Sequence, residues 1–216
     1  GIAAANQALE AIAENDLGPE VNAYKGEALV ARAYGHFMLA LFFAQPYEIN
    51  GQNSSLGIPY VEAPETVAFA NYDRETVKIT YDKIRRDLEE GLPLLQGGQW
   101  KVPKYHFTSS AANAFAARFY LFTGEYDKAL NAANKVFQNG DFTGKLRPVT
   151  TTIQNYSLDQ QLIELTKADK EYNILLTETY SVYQRTSSST YSRFGYGQRK
   201  HNELFNTPVF EGTTIH

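Results

Sequence analysis

The sequence has 216 residues and no cysteine, and its 20 Lys plus Arg against 24 Asp plus Glu give a formal charge of −4. Without cysteine there is no disulfide scaffold, zinc ribbon, Cys nucleophile or thiolate-held iron–sulfur cluster, and a mildly acidic balance argues against a broad nucleic-acid footprint, which needs a basic face. At 43% hydrophobic and 20% charged residues the chain is globular and long enough to bury a sizeable core.

The chain opens on IAAANQALEAIAEN, with no basic segment leading into an apolar one. It reads as the interior of a helical protein, which points to a processed form or a fragment. The apolar spacing over 3–15 predicts a helix that stops before Gly18-Pro19. Residues 22–44 predict the strongest helix: from Ala28 to Ala44 the departures from apolar character are Arg32, Gly35 and His36. A helix apolar nearly all round is expected to be buried on most sides, and proline stops this one at Gln45-Pro46. The uncharged run from Ala33 to Tyr47 falls short of the roughly 18–20 residues of a membrane span.

Residues 45–72 form a long connection broken by Gly51, Asn53, Gly57, Pro59 and Pro64, and loops of that length in a compact domain are usually functional or form interfaces. Asp73 is placed to cap the next helix, whose apolar stripe is Val77, Tyr81, Ile84, Leu88 and Leu92. A second connection, 96–107, holds Gly97, Gly98, Trp100 and Pro103. Over 108–140, Thr108 or Ser109 starts a helix and Gly124 ends it; Tyr126 or Asp127 starts a second, which Gly140 ends. The tight turn makes the pair antiparallel, and Ala112, Ala116, Ala117, Ala129, Ala132 and Ala133 allow close approach. Ala117, Tyr120 and Ala129 fall at the small, aromatic and small positions of a tetratricopeptide-like pattern. Beyond 150 the character changes: 158–167 predicts a short helix, 173–186 alternates like a strand, and 187–200 is a Ser/Gly/Tyr-rich loop. The expected fold is therefore mostly α: a tetratricopeptide-like helical-hairpin scaffold with long inserted loops over 1–150. A short helix, strand and loop over 151–216 belong to the same domain.

No catalytic constellation stands out. His36, His106, His201 and His216 are not at metal-ligand spacing, so no metal or cofactor is expected, and His36 reads as a hydrogen-bonded core histidine. Asp87, Glu89 and Glu90 share a helix and cannot face each other across a cleft as glycosidase carboxylates do, so they read as a solvated helix face. Gly195-Tyr196-Gly197 lacks the third glycine of a dinucleotide fingerprint, and neither a phosphate loop nor a GxSxG elbow occurs. The loop aromatics fit a binding role better. Trp100 lies in one connection; Tyr191, Phe194 and Tyr196 lie in another, beside Arg193 and Gln198. Rings stack on the apolar faces of sugars, while guanidinium and amide groups read the hydroxyls. The same rings would equally serve to anchor loops on the core or to meet a partner protein.

Several segments, in order, resemble the SusD/RagB family of outer-membrane, glycan-binding lipoproteins. They are IAAANQALEAI, GEALVARAYGHFMLALFFAQPY followed by LGIPYV, and DRETVKITYDKIRRDLEEGLPLL with Arg74, Val77, Tyr81, Ile84, Asp87 and Leu88 at the matching positions. FTSSAANAFAARFYLFTGEYDKALNAANKVFQNGDF and NILLTETY complete the set. The resemblance implies a helical scaffold whose loops build a shallow glycan site. It implies no enzymatic activity, a place at the outer membrane on the extracellular face, and delivery of captured oligosaccharide to a TonB-dependent, SusC-like transporter. Family members carry a signal peptide and a lipidated cysteine and are about twice this length or more, so the chain is expected to be truncated at both ends. Tyr191, Arg193, Phe194, Tyr196 and Trp100 are the expected sugar contacts. The alternative is a tetratricopeptide-like adaptor without glycan binding, which would use Asn113, Asn131 and Asn134 to hold a peptide.

Overall fold

The computed structural model describes residues 1–67, 70–137, 141 and 144–176, with two strand segments at 208–210 and 213–214. The chain divides into two compact units, Gly1–Leu176 and Thr177–His216. In the first, the elements run α1 (Ile2–Glu14), α2 (Asn22–Phe43), α3 (Val77–Leu94), α4 (Ser109–Thr123), α5 (Tyr126–Val136) and α6 (Leu158–Leu165). The second contains an antiparallel pair, β1 (Pro208–Phe210) and β2 (Thr213–Thr214), in which Pro208 faces Thr214 and Phe210 faces Thr213.

Two helix pairs make the scaffold: α2 packs along α3, and α4 along α5. The α2–α3 contact is backbone-close, since a Cβ at Gly91 would lie 2.8 Å from the Gly26 carbonyl oxygen. Val30, Ala33, Phe37 and Ala40 meet the predicted stripe of Val77, Tyr81, Ile84 and Leu88, and Ala112, Phe115, Ala116 and Phe119 of α4 close the same core. Phe37 is its hub: its ring lies 5.5–6.2 Å from those of Tyr81, Phe115, Phe119 and Phe122. Gly124, at φ 79°, makes the left-handed turn that antiparallel α4 and α5 require. The mostly helical, hairpin-based architecture is thus the expected one.

The structure departs from the sequence reading at particular places. Thr76, not Asp73, caps α3, and its hydroxyl accepts from the Ile79 N–H. Residues 75–77 are occupied in pairing with 55–57: the Gly57 N–H donates to Glu75, and the Val77 N–H to Ser55. Helix α5 ends at Val136, where Phe137 turns extended, so Gly140, outside the described residues, does not end it. Of the predicted strand over 173–186, the described part, 173–176, is not a strand; the Leu176 N–H donates to the Lys104 carbonyl beside a 3-10 turn rather than to a strand. The rest of that segment lies outside the described residues. Helix α2 is buried through its middle, yet Phe42 and Phe43 at its C-terminal end are 74% and 67% exposed.

Candidate functional site

The long connection after α2 is held down by a buried polar network. Arg32 of α2 and Asp87 of α3 are 6% and 0% exposed and pair in fork geometry, Nε to Oδ2 at 2.5 Å and Nη2 to Oδ1 at 3.0 Å. Arg32 Nη1 also donates to Asn6 Oδ1 and to the Glu62 carbonyl. Asn6 on α1 in turn donates to the carbonyls of Val61 and Ala63. The Tyr60 hydroxyl donates to Asp87 Oδ2 at 2.7 Å, and Arg86 bridges Asp87 and Glu62. Burial alone would raise the Asp87 carboxyl, but the hydrogen bonds from Arg32, Arg86 and Tyr60 outweigh it and hold the group below the usual carboxylate range. Burial, reinforced by Asp87, pushes the Tyr60 phenol far above its ordinary value.

Asp87 is therefore not part of a solvated face, as the sequence reading had it. It sits on the buried side of α3 between Ile84 and Gly91, while Glu90 stays exposed. His36 is the core histidine expected. The Val61 N–H donates to its Nε2 at 3.0 Å, which places the ring proton on Nδ1, donating to the Arg32 carbonyl at 2.9 Å. Its ring stacks on Tyr60 with centroids 3.8 Å apart. The buried groups of this network all have partners, so it is a strap that fixes α1, α2, α3 and residues 60–63 together, not a reacting centre.

The strap titrates. Burial lowers the His36 pKa below its ordinary 6.5, so the stability it contributes is complete above about pH 6.5 and is lost as the pH falls from there toward its folded value. Asp87 is shifted down as well, so its contribution is present above the ordinary carboxylate range and is lost only at stronger acidity. His36→Gln should cost roughly 1–3 kcal/mol at pH 7 and flatten the fall of the melting temperature as the pH drops below 6.5. Thermal melts of both proteins across that window check it; a wild-type profile already flat there contradicts it.

The second connection is closed by one carboxylate. Glu27 of α2 accepts from Trp100 Nε1 at 2.7 Å, from His106 Nδ1 at 2.8 Å and from the Phe107 N–H at 3.2 Å. The Trp100 ring lies over Gly98, 6.0 Å from the His106 ring, and is half-buried. Its indole N–H is thus committed to the protein, and what it offers a ligand is part of its ring. Tyr191, Arg193, Phe194 and Tyr196 lie outside the described residues, so the structure does not place them relative to Trp100. Asn113, the first of the peptide-holding asparagines of the adaptor reading, is buried and donates to the Ser109 carbonyl of its own helix; it is not available to a peptide backbone. Asn131 and Asn134 are exposed. No cluster of His, Asp and Glu suited to a metal ion, and no helix long and apolar enough to cross a membrane, occurs among the described residues.

Residues 1–121 match the SusD-like family described as starch-binding and associating with the outer membrane. No curated protein sequence matches the chain significantly. Among solved structures, a SusD superfamily protein from Bacteroides thetaiotaomicron is 30% identical, with TM-score 0.55, over 68% of this chain and 31% of its own. A SusD-like carbohydrate-binding protein from Bacteroides vulgatus is 21% identical, with TM-score 0.54, over 67% of this chain and 31% of its own. A further SusD superfamily protein from Bacteroides vulgatus is 22% identical but superimposes over 94% of this chain and 46% of its own, with TM-score 0.61. The chain thus spans between about a third and a half of the length of these structures.

Proposed function

The chain belongs to the SusD-like family, and on that premise we propose that it is part of a non-enzymatic glycan-binding protein of a nutrient-uptake system at the outer membrane. In this reading it captures oligosaccharide on the extracellular face, anchored through lipid outside this chain, and delivers it to a TonB-dependent, SusC-like transporter. The observation that carries the reading is the match of residues 1–121 to a family described as starch-binding. A physical argument supports it: both long connections are bolted to the helices by internal hydrogen bonds, from Arg32 to the Glu62 carbonyl and from Tyr60 to Asp87 in one, and to Glu27 in the other. A scaffold that fixes its loops in advance spends little of the binding free energy on ordering them.

Tyr191, Phe194 and Tyr196 are the stacking rings in this proposal, Arg193 orients the sugar hydroxyls, and Trp100 contributes part of a ring beside its committed N–H. Tyr196→Ala should weaken maltoheptaose binding about tenfold, a loss of about 1.4 kcal/mol, with an unchanged melting temperature. Isothermal titration calorimetry reads the first and a thermal melt the second. Unchanged affinity in the variant would overturn the loop assignment.

A further inference from the structure

A polar cleft on the first connection serves none of the roles described so far. It encloses about 580 Å3 and is walled by Gln45, Glu48, Gln52, Asn53, Ser54 and Ser55, with Pro46 and Val77 as its apolar surfaces. That volume falls within the 300–1,000 Å3 of ordinary small-ligand clefts.

The cleft is built on a fixed frame. Asn53 acts as an internal staple: its Oδ1 accepts from the Glu48 N–H at 2.8 Å, and its Nδ2 donates to the carbonyls of Glu48 and Gly51. Asn50 and Asn53 take the left-handed conformation, at φ 63° and 51°, that this tight path needs and that asparagine tolerates better than most residues. The backbone is then tied to the start of α3, since Lys78 N–H donates to the Asn53 carbonyl and Val77 N–H to that of Ser55. Arg74 fastens the entry, donating from Nε to the Gly57 carbonyl and from Nη2 to the Phe43 carbonyl at the end of α2.

The side chains that the frame does not use are neutral. Gln45, Gln52, Ser54 and Ser55 are exposed, and among the described residues none makes a side-chain hydrogen bond. They present two amides and two hydroxyls, each able to donate and accept. No Lys or Arg lines the cleft, so a phosphate or carboxylate ligand finds no counter-charge, and Glu48 is the sole ionic group. Two residues before Gln45, the exposed rings of Phe42 and Phe43 stand 6.5 Å apart. Mixed donor–acceptor groups on a rigid frame, next in the chain to exposed aromatic faces, match the alternating hydroxyls and apolar ring faces of a neutral sugar.

We propose that this cleft is a second subsite for neutral oligosaccharide, with Gln45, Gln52, Ser54 and Ser55 reading the sugar hydroxyls and Asn53 holding the cleft open. It rests on the oligosaccharide-binding reading and adds a surface to it, separate in sequence from residues 187–200. The probe is maltoheptaose, backed by a panel of neutral xylan- and mannan-derived oligosaccharides. Two measurements are made on the whole chain: amide hydrogen exchange with and without the sugar, and calorimetry on wild type, Gln52→Ala/Ser54→Ala and Tyr196→Ala. Asn53 is left intact so that the frame survives, and an unchanged melting temperature confirms it.

The expected result is slowed exchange over 45–56 and an affinity about tenfold weaker in Gln52→Ala/Ser54→Ala, equivalent to losing one or two hydrogen bonds. Wild-type binding with no protection over 45–56 and full affinity in that double variant overturns the subsite and leaves oligosaccharide binding standing. Loss in the cleft variant with full affinity in Tyr196→Ala keeps the subsite and removes the 187–200 assignment. No binding of any panel member by wild type overturns both.

Discussion

Arg32→Met is expected to destabilise the helical unit by about 3–5 kcal/mol, the cost of leaving a buried carboxylate without its partner. Asp87 would keep Arg86 and Tyr60 but lose the fork from Arg32, and Asn6 and the Glu62 carbonyl would lose a donor at the same time. The loss should fall hardest on residues 60–63, whose attachment to α1 and α2 runs through those groups and through His36. Arg32→Met combined with Asp87→Leu should recover part of the loss, because removing both charges avoids the uncompensated buried carboxylate, while Tyr60, Asn6 and the Glu62 carbonyl still lose a partner. Urea unfolding followed by circular dichroism reads both. A single variant within about 1 kcal/mol of wild type would show that Asp87 is solvated and that the strap is not the element holding the connection.

The second large effect is expected from Phe37→Ala, at about 3–5 kcal/mol. Its ring is fully buried and in contact with aromatic rings from α3 and α4, so truncation removes the largest α2 side chain packed against both. Neighbouring Phe115 and Phe119 are themselves on a helix fixed by Gly124 and α5, which limits collapse into the vacated space. The same urea series tests it, with Phe42→Ala as the internal comparison: Phe42 is 74% exposed and should change stability by no more than about 0.5 kcal/mol. Equal losses in the two variants would contradict the placement of the core.

What the sequence made legible was set by periodicity and by local capping. Helix α3 announced its buried face through Val77, Tyr81, Ile84 and Leu88, and Gly124 marked the α4–α5 turn, because each signal is complete within a few residues. The start of α3 was misplaced because Asp73 and Thr76 are both good caps; the choice between them is made by residues 55–57, which pair with 75–77 from far away in the chain. The Arg32–Asp87 pair was hidden for the same reason, its partners being 55 positions apart. A signal was nonetheless present: one arginine within the mostly apolar run from Ala28 to Ala44, and one aspartate between Ile84 and Leu88 of an apolar stripe. Opposite charges on two faces that must pack are better read as partners than as a solvated surface. Side-chain chemistry alone singles out the sugar-binding candidates in the sequence. For Trp100 that chemistry left out Glu27, 73 positions away, which takes its indole N–H. The cleft over Gln45–Ser55 escaped because nothing in a run of Gln, Asn and Ser distinguishes a stapled frame from an ordinary polar loop until the Asn53 bonds are seen.

The most direct test of the central claim, that this helical scaffold carries loops for neutral glycan, is to apply the fluorescently labelled wild-type chain to an array of neutral and acidic oligosaccharides beside a library of random peptides. Binding to a set of neutral oligosaccharides, competed by the same free sugars and absent from the peptides, is the predicted result. Capture of peptides with no oligosaccharide bound would contradict it and place the chain with the helical-repeat adaptors.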